Sequence, residues 1–373
     1  MGNFSKRYAY VGCRTSVKRN ARGKGISVYE IDGQTGKWRY VQLVEHLVNP
    51  SFLAFDREDQ YLYSVHGDEK VISTFEVDRE TGMLTFIGKQ STGYDYVHSG
   101  LDPTRGYNPV HVAVDPSNQY VIVANHATGK ISVHPRNSNG TVGQYKTITD
   151  VNGLQYEEGE ESTFSRPHQI VFDASGKYII VPVQGRAQGN GIDQVIVYQF
   201  NADTGELIEN DIVPARQRSW PRHVALHKNN HFAYVINEID NTVTSYRFDE
   251  SKGKLKPIQV IPSLPETYTG DGQASEIEVH PSGKFIYASN RIHDSIAILE
   301  VNQETGMLKH LDWVDALGQT PRFTTIDPEG KYFYVANEDS DTIVQFQIEE
   351  NGKLTPTGEV IPTESPVCIT FSK

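Results

Sequence analysis

The chain is poor in the features that mark several large classes of protein. Only two cysteines, Cys13 and Cys368, occur in 373 residues, which excludes a disulfide-stapled scaffold. No apolar run approaches the roughly 18 residues of a membrane-spanning helix. Residues 1–6, MGNFSK, form no apolar leader ahead of a first strand near Tyr8. Lys6 stands where a myristoylation pattern needs Ser or Thr. These features predict a cytoplasmic protein, in which the sequon at Asn139-Gly140-Thr141 is a bare turn. Positive charge is short: 35 Lys and Arg face 47 Asp and Glu, a net charge of −12. That balance argues against nucleic acid or an anionic membrane as the main partner. His-x-x-x-His and paired-Cys spacings are missing, as are a calcium-type oxygen cluster and a phosphate-cradling glycine loop. No metal or other cofactor is expected.

What the chain does hold is 20 Tyr, 15 Phe and 31 Gly, a balance suited to many short strands and turns. One unit recurs. In residues 220–248, WPRHVALHKNNHFAYVINEIDNTVTSYRF, a short strand (223–226) is followed by a polar turn and a second strand (232–236). A polar loop then leads to an alternating third strand (242–248). The same pattern returns at 49–68, 108–127, 166–185, 273–292 and 320–339. A seventh copy is split: 365–371 is a first strand with nothing after it, and 7–12 a second strand with nothing before it. The distance between successive copies falls from 59 to 45 residues, and several strands per period of about 40–50 residues indicate a β-propeller. Fourth strands come after recurrent Thr-Gly turns at Gly36, Gly82, Gly205 and Gly306. The expectation is an all-β, seven-bladed β-propeller forming one domain over 1–373. Its N- and C-terminal strands share a blade, placing Cys13 and Cys368 on paired strands as reduced thiols. Separate β-sandwiches are the alternative, but they need no regular period.

A hairpin brings the start of its first strand beside the end of its second. Aligning the copies therefore gives two columns at one mouth of the ring. The leading column reads Ser51, Val110, His168, Arg222, Ser275, Arg322, Val367, and the trailing column Gly67, His126, Gln184, Glu238, Arg291, Glu338, Arg14. A purely structural column favours small or apolar residues, whereas these are rich in His, Arg and Glu. The plain alternative is that Arg222 and Glu238 form an ion pair holding the mouth together, and that His168 caps a turn. Strand alternation turns His111 and His223, one residue further on, away from this mouth. They are read as blade-to-blade packing with satisfied hydrogen bonds. Glu338 and Arg14 are read as a structural pair, and the Asp-Pro-x-Gly turns as turn chemistry alone.

The pattern resembles the seven-bladed propeller lactonases, the group of bacterial 6-phosphogluconolactonase and fungal carboxy-cis,cis-muconate cyclase. The resemblance runs from Tyr10-Val-Gly12 to Pro366-Val-Cys368. It is most specific at Pro167-His-Gln169, Pro221-Arg-His223, Asn237-Glu238 and 289–296, SNRIHDSI. It implies an active site at the channel mouth made of His168, Arg222, Glu238 and Arg291, acting on a small-molecule lactone. His126 and Arg322 are further candidates for binding a substrate anion, as is Arg186 in the loop 183–193. That loop is about six residues longer than the family's usual connection. Arg166 stands where relatives often carry another His. Both departures bear on substrate choice.

The residue types suit ring opening. Water attacking a lactone places negative charge on the carbonyl oxygen, which arginines stabilise in a partly dry cleft. His168 is the expected general base by its intrinsic pKa, with Glu238 holding water or orienting the arginines; Glu238 as base is the alternative. The functional expectation is a sugar-lactone hydrolase with 6-phosphogluconolactone as default substrate. The alternatives are a muconate-type lactonising cyclase, or a non-catalytic propeller that binds a partner protein.

Overall fold

Strands mostly of six to nine residues alternate with turns and pair antiparallel with their neighbours in sequence. The computed structural model describes residues 6–33, 35–93, 108–151, 165–185 and 191–373. These form seven sheets, the blades of a propeller. Blade 4 shows the plan: Pro221–Leu226 innermost, then Phe232–Asn237, Thr242–Asp249 and Lys254–Pro262 outermost. Blades 1, 2, 3, 5 and 6 begin at Pro50, Pro109, Arg166, Gln273 and Pro321. Blade 7 joins the C-terminal strand Pro366–Phe371 to Arg7–Cys13, Gly25–Ile31 and Trp38–Glu45. Gly12 lies opposite Cys368 and Cys13 opposite Pro366, and both thiols are buried and free. The ring closes as the split repeat predicts, leaving no open sheet edge between the ends.

The core lies between blades. Tyr178, Ile180 and Val197 of blade 3, for example, pack against Val224, Val235 and Tyr246 of blade 4. The recurrent turn glycines lock this packing. Gly82 of blade 1 has φ +73°, and a Cβ added there would stand 2.3 Å from the ring of Tyr8 in blade 7. The contact repeats around the whole ring. Gly140, Gly205, Gly253, Gly306, Gly352 and Gly36 lie on Tyr61, Tyr120, Tyr178, Phe232, Phe285 and Tyr332 of the preceding blades. The sequon at Asn139 is thus the blade 2 copy of this turn. The Asp turns do more than turn. Asp56 accepts the backbone N–H groups of Gln60 and Tyr61, and also pairs at 3.0 Å with Arg136 of blade 2.

The inner strands depart from simple alternation at one point. In blade 4 the pairing passes from Pro221–Asn237 to His223–Ile236 and skips Arg222. The same slip falls at Ser51, Val110 and Arg322. A residue inserted in this way is a β-bulge, which bends the strand and re-aims the side chains beside it. The chain enters the bulge through a left-handed residue in five blades: Asn49, Asn108, Trp220, Thr320 and Ser365 have φ between 40° and 59°. Trp and Thr seldom adopt that conformation. In blade 3 the inner strand is broken outright, into Arg166–Pro167 and Val171–Phe172, with His168 in the gap.

Candidate active site

The two sequence columns meet at one mouth of the channel. A cavity of about 110 Å³ is lined there by leading-column residues Ser51, Val110, His168, Arg222, Arg322 and Val367. Gly67, His126 and Arg14 of the trailing column complete that rim. Phe52 and Phe323 line the cavity from the residues just after two bulges.

Behind this lining Glu238 organises a buried network. Its Oε2 accepts from Gln184 Nε2 at 2.8 Å and its Oε1 from Gln273 Nε2 at 2.9 Å. Arg291 reaches Oε1 at 3.1 Å, and Arg222 Nε stands 3.7 Å from Oε2. The amide of Gln184 extends the network to the cavity, because its Oε1 takes the Nε2–H of His126 at 3.2 Å. Arg222 is fixed from the other side by donating to the carbonyl of Ser275 at 2.6 Å. Glu238 and Arg291 are buried, with relative exposures of 2% and 5%, and are not part of the cavity lining. Of the four residues singled out from the sequence, His168 and Arg222 face the cavity, while Glu238 and Arg291 stand behind Arg222. Arg322 and His126 also face it. Arg186 and residues 187–190 of the loop 183–193 lie outside the described residues.

On the opposite rim Glu338 pairs with Arg14 at 3.1 Å and with Arg322 at 3.6 Å. The structural pair expected of Arg14 and Glu338 is present, and Arg14 also lines the cavity. Four guanidiniums, from Arg14, Arg222, Arg291 and Arg322, face the two carboxylates Glu238 and Glu338. The surplus is positive. Burial, then Arg322, presses Arg14 down to about 9, and burial presses Arg291 down to about 10. Burial, then Arg291 and Arg322, also holds Arg222 well below its ordinary value. A guanidinium keeps its proton even so. The crowding persists as repulsion that an entering anion relieves.

His223 corrects the sequence reading. Alternation predicts that it turns away from the mouth, but the bulge at Arg222 leaves both residues lining the cavity. Its ring lies 5.0 Å from that of His168, which in turn lies 5.4 Å from that of His126. His223 Nδ1 is 2.5 Å from Oε1 of Glu276, a buried carboxyl of blade 5. Burial pushes Glu276 up to about 8 and holds His223 well below its ordinary value. His111 does pack between blades, its ring 4.1 Å from that of Phe52. Its Nδ1 finds no hydrogen-bond partner among the described residues, contrary to the satisfied bonding expected. Five inner strands open with a Pro after a left-handed residue, but strand alternation by itself carries no mark of the bulge that brings His223 to the cavity. Among the described residues no group of three or more His, Cys, Asp and Glu is arranged to hold a metal ion. No helix there is long and apolar enough to cross a membrane.

Comparison with known proteins bears on the family and the fold. The chain is 30% identical over 372 residues to 6-phosphogluconolactonase of Bacillus subtilis, covering 99% of both chains. It is 29% identical to 6-phosphogluconolactonase of Formosa agariphila, over 92% of this chain and 94% of that one. The solved periplasmic gluconolactonase of Pseudomonas aeruginosa superposes with a TM-score of 0.84 over 99% of both chains. At 23% identity that likeness speaks to the fold alone. The family described as "Lactonase, 7-bladed beta-propeller" matches residues 8–371. With seven closed blades and this match over nearly its whole length, the chain belongs to the seven-bladed β-propeller lactonase family.

Proposed function

We propose that the chain opens a sugar lactone with water, as a lactone hydrolase of the 6-phosphogluconolactonase kind. The observation that carries this reading is the cavity itself: His168 and Arg222 both line it, within a cluster whose charge is net positive. Arg222 is the donor for the carbonyl oxygen as it becomes an oxyanion. Preorganised donors in a dry cleft are strong there because they need no reorganisation during reaction. His168 is the general base that takes a proton from the attacking water. Glu238 serves as the partner that aims Arg222 and Arg291; four donors surround it and it stands behind the lining, which favours His168 over Glu238 as base. Arg322 and His126, with Arg14 beside them, receive the substrate's anionic group, a role that Arg186 shares. Two relatives named 6-phosphogluconolactonase, at 30% and 29% identity, support a phosphorylated sugar lactone as substrate. The reading takes 1–373 as one domain working in the cytoplasm, where its two buried thiols stay reduced.

The test is a pH-stat assay against phosphorylated and free sugar lactones and muconolactones. Hydrolysis of 6-phosphogluconolactone above the spontaneous rate, and weaker action on the rest, is expected. Activity confined to a muconolactone would favour the cyclase alternative, and none at all would leave the non-catalytic one.

A further inference from the structure

We propose that His223, Glu276 and Glu278 form a proton outlet leading from the reaction cavity to the rear of the central channel. The proposal rests on the lactone-hydrolase reading, because that chemistry creates the proton. Water's oxygen bonds to the carbonyl carbon, and one of its protons passes to His168. The ring C–O bond breaks, and the released alkoxide oxygen takes that proton back. Water's second proton is left on the new carboxyl group, which ionises near neutral pH. Each turnover thus sheds one proton into a cavity crowded with guanidiniums.

The geometry provides a way out. His223 lines the cavity, and its Nδ1 is engaged by Glu276 Oε1 at 2.5 Å, which leaves Nε2 as the ring nitrogen available to the cavity. Glu276 Oε2 is buried with no hydrogen-bond partner among the described residues. A buried polar atom of that kind calls for an explanation. Beyond it lies a second cavity of about 210 Å³, lined by Glu276, Glu278 and Gln169. Phe52 and Phe323 line both cavities and stand between them. The His223–Glu276 pair is therefore the polar link between two spaces that aromatic rings otherwise separate.

An imidazole that accepts at one nitrogen and gives up its proton at the other moves charge without moving itself. A proton arriving at His223 Nε2 displaces the Nδ1 proton onto Glu276 Oε1. Glu276 then loses its Oε2 proton to Glu278 or to channel water, which leaves His223 protonated at Nε2 and Glu276 at Oε1. The ring and the carboxyl each reorient to reset the pair before the next proton. The surroundings favour this direction. Arg222 on the same strand, Arg322 across the channel and Arg291 in the next blade repel a proton held on His223, while Glu238 attracts it. His168 and His111 face it from the preceding blades. Glu276, brought to about 8 by burial against the pull of Arg222 and Arg322, both holds and releases a proton near neutral pH.

The test compares the full-length protein with its Glu276→Gln and Glu278→Gln variants, on a lactone that the parent opens. Turnover and KM are measured across neutral pH, with and without added imidazole as a mobile proton carrier. Glu276→Gln is expected to lower kcat about ten- to a hundredfold with KM little changed, to alter the pH profile, and to recover turnover as imidazole rises. Glu278→Gln should show the same pattern more weakly, and carries the test if Glu276→Gln does not fold. Parent-like turnover in the variants, or a loss uniform with pH and indifferent to imidazole, overturns the outlet. A parent inactive on every lactone overturns the lactonase reading instead.

Discussion

Arg291 of blade 5 reaches across to Glu238 of blade 4 with Nη2 3.1 Å from Oε1. The same Arg291 nitrogen donates to the carbonyl of Ala274 at 3.0 Å. The pair thus ties together two blades directly behind the cavity, and Arg222 stands on its cavity side with Nε 3.7 Å from Oε2 of Glu238.

That arrangement separates two arginines that look equivalent in the sequence. Arg222→Ala removes a donor that lines the cavity and is expected to lower kcat about a hundredfold or more, in line with loss of one oxyanion donor. Arg222→Lys should recover only part, since Lys lacks the planar fork. Arg291→Ala acts through Glu238 and the aim of Arg222, and misplacement alone costs up to about a hundredfold. Steady-state kcat and KM for the three variants, with exposed Arg79→Ala as control and a melt for each, check this. If Arg222→Ala folds and turns over like the parent, the cluster is structural.

Gly82→Ala is expected to destabilise the protein by about 2–4 kcal/mol, combining a left-handed backbone with a collision against Tyr8. Gly33→Ala is the control, because a Cβ there meets nothing within 4 Å and its φ is not left-handed. Urea unfolding of the two variants measures the difference. Equal midpoints would show that the ring of glycine–aromatic contacts contributes nothing.

Removing residues 367–373 takes away the inner strand of blade 7 and bares the edge of Arg7–Cys13, where Tyr8 N–H donates to Ser372 Oγ at 2.9 Å. The truncated chain should melt at least about 10 °C lower or fail to fold. Thermal melts of soluble material decide it, and an unchanged Tm would count against closure as a source of stability.

His66 and His134 make stability depend on pH. Each is buried with both ring nitrogens engaged, His66 by Val48 O and Ser73 Oγ, His134 by Gly143 O and Ser132 Oγ. Burial lowers both to about 4 from an ordinary 6.5. A histidine depressed in this way favours the folded state fully above 6.5, and that advantage is lost as pH falls toward 4. The loss is on the order of 3 kcal/mol for each once protonated. Tm should drop steadily over that window, and His66→Gln should flatten the slope. A Tm constant between 6.5 and 4 would show that neither ring is held neutral.

The seven units, the shared blade of the two termini and the mouth to which His168, Arg222, Arg322 and His126 belong were all legible in the chain. Each of these depends on local periodicity, and a repeat states its own alignment. Pro221 with Glu238 and Pro321 with Glu338 are matching places in matching hairpins, so the columns emerge once the hairpins are recognised. His223 was not legible. One residue inserted at Arg222 changes the face on which His223 lies, and strand alternation carries no mark of that insertion.

The architecture and the set of charged residues at the mouth are thus written in the chain, because short antiparallel hairpins are specified by contacts close in sequence. Which charges face the cavity and which stand behind it is settled by packing between blades. Glu238 draws donors from Gln184 in blade 3 and from Gln273 and Arg291 in blade 5, and Glu276 of blade 5 meets His223 of blade 4. Those neighbours lie 35 to 54 residues away in the chain. Their depth depends on how blades pack side by side and on a one-residue bulge, which no residue's own identity encodes.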